Sequence, residues 1–425
     1  MTTTEPTREY DPLDISSQEF WAKPPAEREE TFAELRRERP LSWHRPAETD
    51  LLPDPDAPGF WAVVAHADIQ AVSRDADTFA SGQEYGGVML EDAPEDVLEA
   101  AHSILAMDAP RHNTLRKVIS SVFTPRRVRQ IEDQIADQAR RIVDDFEQTT
   151  GTVDFVSTVS ARLPMWTISE MIGIPDEKRT EIADAAGAMV GWNDPDFIGD
   201  GDPMAVLLNG LMTLHTACFE LSAARREEPA NDLMTALVQA EVDGDTLTDE
   251  EIAAFFVLLC VAGNDTTRQT ASHTILALDR HPEQKQLLID EFDSRIKPAI
   301  EEFVRWASPV LTFRRTATRD TEIRGQRIAE GERVVMFYHS GNRDETAFDD
   351  PHTFDITRTE NPHVGFGGGG VHFCLGSHLA KTQLRCLFHE LLTRTPDIDV
   401  GEPEFLSGNF INGIKRLPVT RGGTS

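Results

Sequence analysis

Gly365-Phe366-Gly367-Gly368-Gly369-Gly370-Val371-His372-Phe373-Cys374-Leu375-Gly376 sets one cysteine between a glycine-rich loop and the start of a helical pattern, Ser377-His378-Leu379-Ala380-Lys381-Thr382-Gln383-Leu384. This arrangement offers one thiolate to a flat cofactor. Glycines let backbone lie against a ring without side-chain bulk, and a helix N-terminus supplies N–H groups that favour S⁻ over S–H. A thiolate held this way suits the axial position of a haem iron, where it pushes electron density onto the metal and favours O–O cleavage.

Other readings of the stretch are weaker. A free cysteine is usually a small buried apolar residue. Gly365, Gly367 and Gly370 satisfy the dinucleotide-binding spacing, but His363 and Val364 form no buried strand and no βαβ pattern surrounds them. Zinc needs about four ligands, whereas His372 and Cys374 are near neighbours, Cys386 lies a dozen residues on, and there is no CxxC pair.

The surrounding chain has 425 residues, 40% of them hydrophobic, enough for a sizeable core. Residues Met1 to Lys23 are polar and acidic, so neither a signal peptide nor a membrane anchor is expected. The longest apolar stretch, Ile252 to Gly263, is too short to span a bilayer and reads as a buried core helix. Four cysteines in so long a chain make no disulfide framework, and the expected compartment is the cytoplasm. With 41 basic against 73 acidic side chains the net charge is −32, which disfavours a nucleic-acid partner because phosphate would be repelled. One segment runs against that trend. From Arg111 to Arg129 there are six basic residues (Arg111, Arg116, Lys117, Arg126, Arg127, Arg129) and no acid, which points to an anionic group or an acidic partner.

Organisation follows from periodicity. A mixed N-terminal part, about 25–105, combines a helix over Glu27 to Glu38 with a strand at Phe60-Trp61-Ala62-Val63-Val64. A helical core covers about 110–305, with apolar residues at threes and fours from Ile131, from Ser157 to Ile172, Pro203 to Ala224 and Asp249 to Leu278. The period drops to two over about 311–338, predicting a hairpin at Thr321 to Ile328 and a strand at Arg333 to Tyr338. Another helix over about 370–395 and a last β pair between Phe405 and Val419, within a β-rich part at about 403–420, complete one α-rich domain with a minor β part.

Two further motifs carry chemistry. Ala262-Gly263-Asn264-Asp265-Thr266-Thr267 interrupts the long apolar helix with a glycine, an acid and two β-branched alcohols, none of which a helix interior favours. Such local disfavour points to function. Gly263 gives a flat face to a cofactor or substrate, Thr266 bonds a carbonyl one turn back and distorts the ladder, and Asp265 relays protons; the bland alternative is a polar patch at an exposed helix end. Glu302-Phe303-Val304-Arg305 puts both charges on one helical face, a spacing that elsewhere is usually a solvated pair. Here Trp306-Ala307-Ser308-Pro309 and the strand-like Leu311-Thr312-Phe313-Arg314-Arg315 follow it.

These features, in this order, resemble the cytochrome P450 monooxygenases over nearly the whole chain. The resemblance implies a triangular helical prism with small β-sheets, haem b (iron protoporphyrin IX) lying between the long helix and the cysteine loop. It implies Cys374 as the iron ligand, Glu302 and Arg305 as the buried pair supporting the proximal loop, and Asp265 and Thr266 as the acid and alcohol of oxygen activation. His112, Arg116, Arg315 and His372 fall where the family grips the haem propionates, and arginine's rigid fork suits a carboxylate. Phe366 and Gly376 belong to the same haem-binding loop. Ala262, Val310, Leu311, Phe410 and Ile411 are expected to face the substrate, with Glu84 to Leu105 and Asp194 to Leu207 as mobile lids. Two departures stand out: Phe366 lies eight residues before Cys374, where seven is commoner, and Lys381 replaces the usual arginine. The four-glycine loop and Asn409-Phe410-Ile411-Asn412-Gly413-Ile414-Lys415 look like the actinobacterial branch that hydroxylates sterols and methyl-branched lipids.

The reaction so implied is insertion of one oxygen atom from O2 into an apolar sterol, branched lipid or terpenoid. Electrons come from a separate ferredoxin and ferredoxin reductase, since a haem domain using the whole chain leaves no room for a flavin or nicotinamide domain. Lys117, Arg126, Arg127 and Arg129 are expected to dock the ferredoxin. The alternatives are a non-catalytic haem-binding sensor, which has no need of Asp265 and Thr266, and a peroxide-driven peroxygenase.

Overall fold

The helix Asp249–Arg280 organises the molecule, and its ends are written in the sequence. Thr248 caps it: its side chain accepts from the Glu251 N–H while the Glu251 carboxylate accepts from the Thr248 N–H, a reciprocal box contributing about 1 kcal/mol. His281-Pro282 ends it, because proline cannot continue the ladder. In the computed structural model, which describes residues 8–422 except 55, 101, 121–122, 200 and 243–244, this helix is buried around most of its circumference, as expected of one apolar on every side.

Other helices pack around it. Pro125–Glu147 carries Val128, Ile135, Ala139, Ile142, Val143 and Phe146 on one buried stripe. That stripe lies against Ser377–Arg394, the helix that follows the cysteine loop. Arg394 bonds Asp144 at 2.6 Å and Arg385 bonds Glu132 at 2.5 Å along the seam. On the other side Arg179–Val190 packs on Pro203–Glu227, and both cross the central helix. Pro203–Glu227 is, among the described residues, the helix long and apolar enough to cross a bilayer by length and composition, a feature that the reading of Ile252 to Gly263 as the longest apolar run passed over. Its Leu207, Leu211, Leu214, Cys218 and Leu221 are buried inside the protein.

The β part is small. Strands Leu41–His44, Phe60–Val63, Arg333–Phe337, Thr312–Ala317 and Phe79–Ala80 form one sheet in that order, with only the Phe60–Val63 and Arg333–Phe337 pair parallel. Thr321–Ile323 and Gln326–Ile328 make the expected hairpin. The single β pair expected near the C-terminus is two structures. Ile414–Arg416 pairs with Glu404–Phe405, whereas Pro418–Arg421 lies between Ile398–Val400 and Thr152–Asp154. Leu417 marks the crossover: its N–H reaches the Asp154 carboxylate at 2.8 Å and its side chain is fully buried. Of the polar N-terminus, residues 1–7 lie outside the described residues.

Candidate active site

The cysteine loop is held from three sides. Asn342 accepts the Val364 N–H at 2.7 Å, and the Cys374 N–H donates to the Phe366 carbonyl at 2.9 Å, closing the loop on itself. Gly370 has φ +77°, and a Cβ there would sit 2.6 Å from the Ser73 carbonyl oxygen; one on Gly368 would sit 2.8 Å from Ser73 Cβ. These glycines therefore serve close packing on the helix His66–Arg74, and the expectation that they make room for a ring is corrected. Open space lies beside Gly376 instead, where an added Cβ meets nothing within 4 Å.

Cys374 itself is exposed. Surrounding protein pushes its thiol up, while the N–H of Gly376, the charges of Arg116 and Lys381, and the N–H of Ser377 pull it down, as a helix N-terminus should. Arg116 Nη2 donates to the Phe373 carbonyl at 2.5 Å. His112 is wholly buried, and its ring lies 4.4 Å from that of His372. Its Nε2 has no hydrogen-bond partner. His372 bonds Ser81 Oγ at 3.1 Å and is drawn down to about 2 by burial and the charges of Arg315, His112 and Arg116, so it is neutral. Arg315, 3% exposed, has its hydrogen bond to the Arg314 carbonyl and, among the described residues, no carboxylate partner.

Beneath the loop, Glu302 and Arg305 are fully buried. Arg305 also donates to the carbonyls of Asn342 (2.9 Å), Pro351 (2.7 Å) and Thr353 (3.1 Å), while Glu302 accepts from the Asp355 N–H (2.9 Å) and from Asn361 (3.0 Å). The neighbouring Glu301 was not singled out from sequence. It bonds Lys381 at 2.6 Å and His363 at 3.0 Å, and Lys381 Nζ sits 5.0 Å from the Phe366 ring centroid. The lysine that replaces arginine thus has a defined place. The signal for Glu301 was masked because the adjacent acid explained the local pattern.

On the central helix Ala262 is exposed and Thr266 half-exposed, one turn apart, although Cys260, Asn264 and Asp265 are buried. The Thr266 hydroxyl donates to the Ala262 carbonyl at 3.0 Å as expected, yet the helix stays a continuous α-helix there, which corrects the expected distortion. Gly263 is also reassigned: its missing Cβ would lie 2.4 Å from Ile168 Cγ1 of the helix Arg162–Ile172, so glycine serves helix packing rather than a cofactor face. Asp265, 1% exposed, is ion-paired to Arg268; burial pushes its carboxyl up against the pull of that guanidinium.

Val310, Phe410 and Ile411 come together with Val261, and Val310 bridges Ile411 in the backbone. Leu311 does not join them. It is buried with Phe20, Phe60, Val335 and Phe337, because alternate residues of an extended segment point to opposite sides. The expected lid at Asp194 to Leu207 is pinned at its start: Asp194 is fully buried and bonded to Lys415 at 3.1 Å, and Asp196 pairs with Arg416 at 2.9 Å.

Comparison with known proteins decides the family. The Cytochrome P450 family model matches residues 207–395. The chain is 41% identical over 96% of its length to the methyl-branched lipid omega-hydroxylase of Mycobacterium tuberculosis, covering 94% of that protein. It is 40% identical over 91% of its length to the steroid C26-monooxygenase of Rhodococcus jostii, covering 80% of that protein. A Mycobacterium marinum cytochrome P450 solved in complex with pseudoionone superposes with a TM-score of 0.95 at 54% identity, over 97% of this chain and 99% of that one. The chain belongs to the cytochrome P450 family.

As a P450 monooxygenase it needs haem iron, and the donor set fits that group. An accessible sulfur, a buried imidazole nitrogen without a partner and a buried guanidinium without a carboxylate are what a macrocycle with a central metal and two acid groups would satisfy.

Proposed function

We propose that this P450 hydroxylates an apolar lipid, sterol or terpenoid, as one haem-thiolate domain acting in the cytoplasm with electrons from a separate ferredoxin and its reductase. The observation that carries the reading is the accessible strip Ala262 and Thr266 on a helix whose other residues between Ile252 and Leu278 are buried or partly buried, with a buried acid beside it. Cys374 would hold the iron of haem b, and His112, Arg116, Arg315 and His372 would take its propionates. When bound, haem supplies dioxygen binding, O–O cleavage and oxygen insertion into a C–H bond.

The protein's own residues do the rest. Thr266 presents a hydroxyl oxygen on the accessible strip of the central helix, where it would order protons; Asp265 would carry protons inward by exchanging its Arg268 contact for water. Ala262, Val310, Phe410 and Ile411 exclude water from the reacting carbon. The names of the relatives, acting on methyl-branched lipids and steroids, and the pseudoionone bound to the M. marinum protein support a branched hydrocarbon skeleton. Lys117, Arg126, Arg127 and Arg129 are exposed and, among the described residues, form no ion pair, which suits an acidic ferredoxin.

The test is a screen of steroids, terpenoids and branched lipids for the low- to high-spin Soret shift, followed by turnover with NAD(P)H and a surrogate ferredoxin. A saturable shift with hydroxylated product is expected. Turnover with peroxide and none with ferredoxin would reassign the protein as a peroxygenase; ligand shifts without product under either regime would make it a sensor.

A further inference from the structure

The helix Phe292–Ala307 ends on a strained residue. Ser308 has φ 40° and ψ 62°, left-handed backbone that helices commonly use to stop but usually give to glycine. The residue is fully buried, and its hydroxyl explains the choice. Ser308 Oγ donates to the Arg305 carbonyl at 2.7 Å and accepts from Asn342 Nδ2 at 2.8 Å. Glycine would end the helix without strain but would leave the amide of Asn342, itself wholly buried, short of a partner.

The backbone on either side of Ser308 is held as closely. The Ala307 carbonyl accepts from Asn412 Nδ2 at 2.7 Å, and the Pro309 carbonyl accepts the Asn412 N–H at 2.9 Å. The Trp306 carbonyl accepts from Arg343 Nη2 at 3.0 Å. Asn412 is in turn tied to the central helix through His273 (2.9 Å), and Asn342 to the cysteine loop through the Val364 N–H (2.7 Å). Residues 307–309 are buried, and the chain next becomes partly exposed at Val310, beside Val261, Phe410 and Ile411. Backbone strain persists where surrounding contacts over-determine it, and such outliers gather at active sites.

We infer that Ser308 is a positioning residue: its strained backbone and the two bonds of its hydroxyl set Val310 against the substrate, and so decide which carbon is offered for oxidation. The inference rests on the hydroxylase reading above and deepens it, adding a residue that acts through Val310 rather than by contact with the substrate. A misplacement of about 1 Å is enough to change the rate at one carbon by about a hundredfold. A small relaxation of this turn therefore shows as a change in product pattern.

The experiment uses the holoenzyme with NAD(P)H, a surrogate ferredoxin and, as probe, pseudoionone, the ligand of the M. marinum relative. It reads the ratio of the major to the next monooxygenated product. Ser308→Gly and Val310→Ala are made singly and together. Glycine takes the left-handed conformation without strain, which offsets the lost bonds, and Asn342 still accepts the Val364 N–H. Haem loading and the reduced carbon monoxide spectrum of Ser308→Gly should therefore match the wild type. The product ratio should change at least about fivefold in each single variant. Because Ser308 acts through Val310, the two changes should not add, and Ser308→Gly on the Val310→Ala background should move the ratio less than about twofold further. An unchanged ratio in Ser308→Gly, or the same factor in both backgrounds, overturns the inference and leaves the hydroxylase reading standing. A wild type with a normal thiolate spectrum that gives no oxygenated product from pseudoionone or from any probe of the spin-shift screen overturns both. Should Ser308→Gly fail to load haem, Ser308→Cys, which keeps the volume and weakens both bonds, takes its place in the cycle under the same criteria.

Discussion

Arg305 Nε and Nη2 each donate to a different oxygen of Glu302 at 2.7 Å, and neither side chain reaches solvent. A bidentate pair of this kind, with further bonds to three backbone carbonyls, joins the helix Phe292–Ala307 to the loops at 342–361 that lead into the cysteine loop. Removing one partner leaves an uncompensated buried charge, a loss of about 3–5 kcal/mol. Glu302→Ala should therefore give protein with little haem. Arg305→Lys should do nearly as badly, since a point charge cannot replace the fork. The ratio of Soret to protein absorbance and the melting temperature measure both; a variant that loads haem and melts like the wild type would show that the pair is dispensable.

Legibility differed by the range of the interaction. The central helix and the cysteine loop were readable because periodicity and a glycine run are local. Gly263 was readable as anomalous, but its cause, Ile168 across a helix interface, was not. Val310 and Leu311 were read together, although extended backbone sends them to different cores. Asp194 read as part of a mobile lid because its partner Lys415 is 221 residues away. The crossover at Leu417, which turns one expected β pair into two, depends on Asp154 in the same way.

Thr266→Ala tests the distal hydroxyl without disturbing the scaffold. Alanine is the better helix former, and the lost bond goes to a carbonyl already in the helical ladder, so the melting temperature should hold. Hydroxylated product per NAD(P)H should fall to about a tenth, with hydrogen peroxide making up the difference. Unchanged coupling of NAD(P)H to product would remove Thr266 from proton handling.

The basic segment gives a prediction about electron delivery. Arg126 and Arg127 open the helix Pro125–Glu147 on an otherwise acidic protein. Reversing both to Glu should slow reduction by an acidic ferredoxin about tenfold at low salt, and raising ionic strength should slow the wild type and narrow the gap. Dithionite reduction should be the same in both. Ferredoxin rates indifferent to salt and to the reversal would move the docking face elsewhere.

Acid sensitivity should arise from histidines buried neutral. His273, on the central helix, donates through Nε2 to the Asn412 carbonyl at 2.9 Å, and Asn412 in turn bonds the Pro309 and Ala307 carbonyls beside the pocket. Burial draws His273 from 6.5 to about 4, and His44 likewise to about 4. The unfolded chain takes up these protons near pH 6.5, while the folded one does so only near pH 4. Stability is therefore fully present above about pH 6.5 and drains as pH falls, by about 2 kcal/mol for His273 alone between pH 6.5 and 5. His273→Gln keeps a donor for the Asn412 carbonyl but cannot titrate, so its melting temperature should fall less steeply over that interval, with His44 accounting for part of the remaining slope. Parallel losses in wild type and variant would mean that His273 is already protonated in the fold, or that its segment opens before the rest of the protein unfolds.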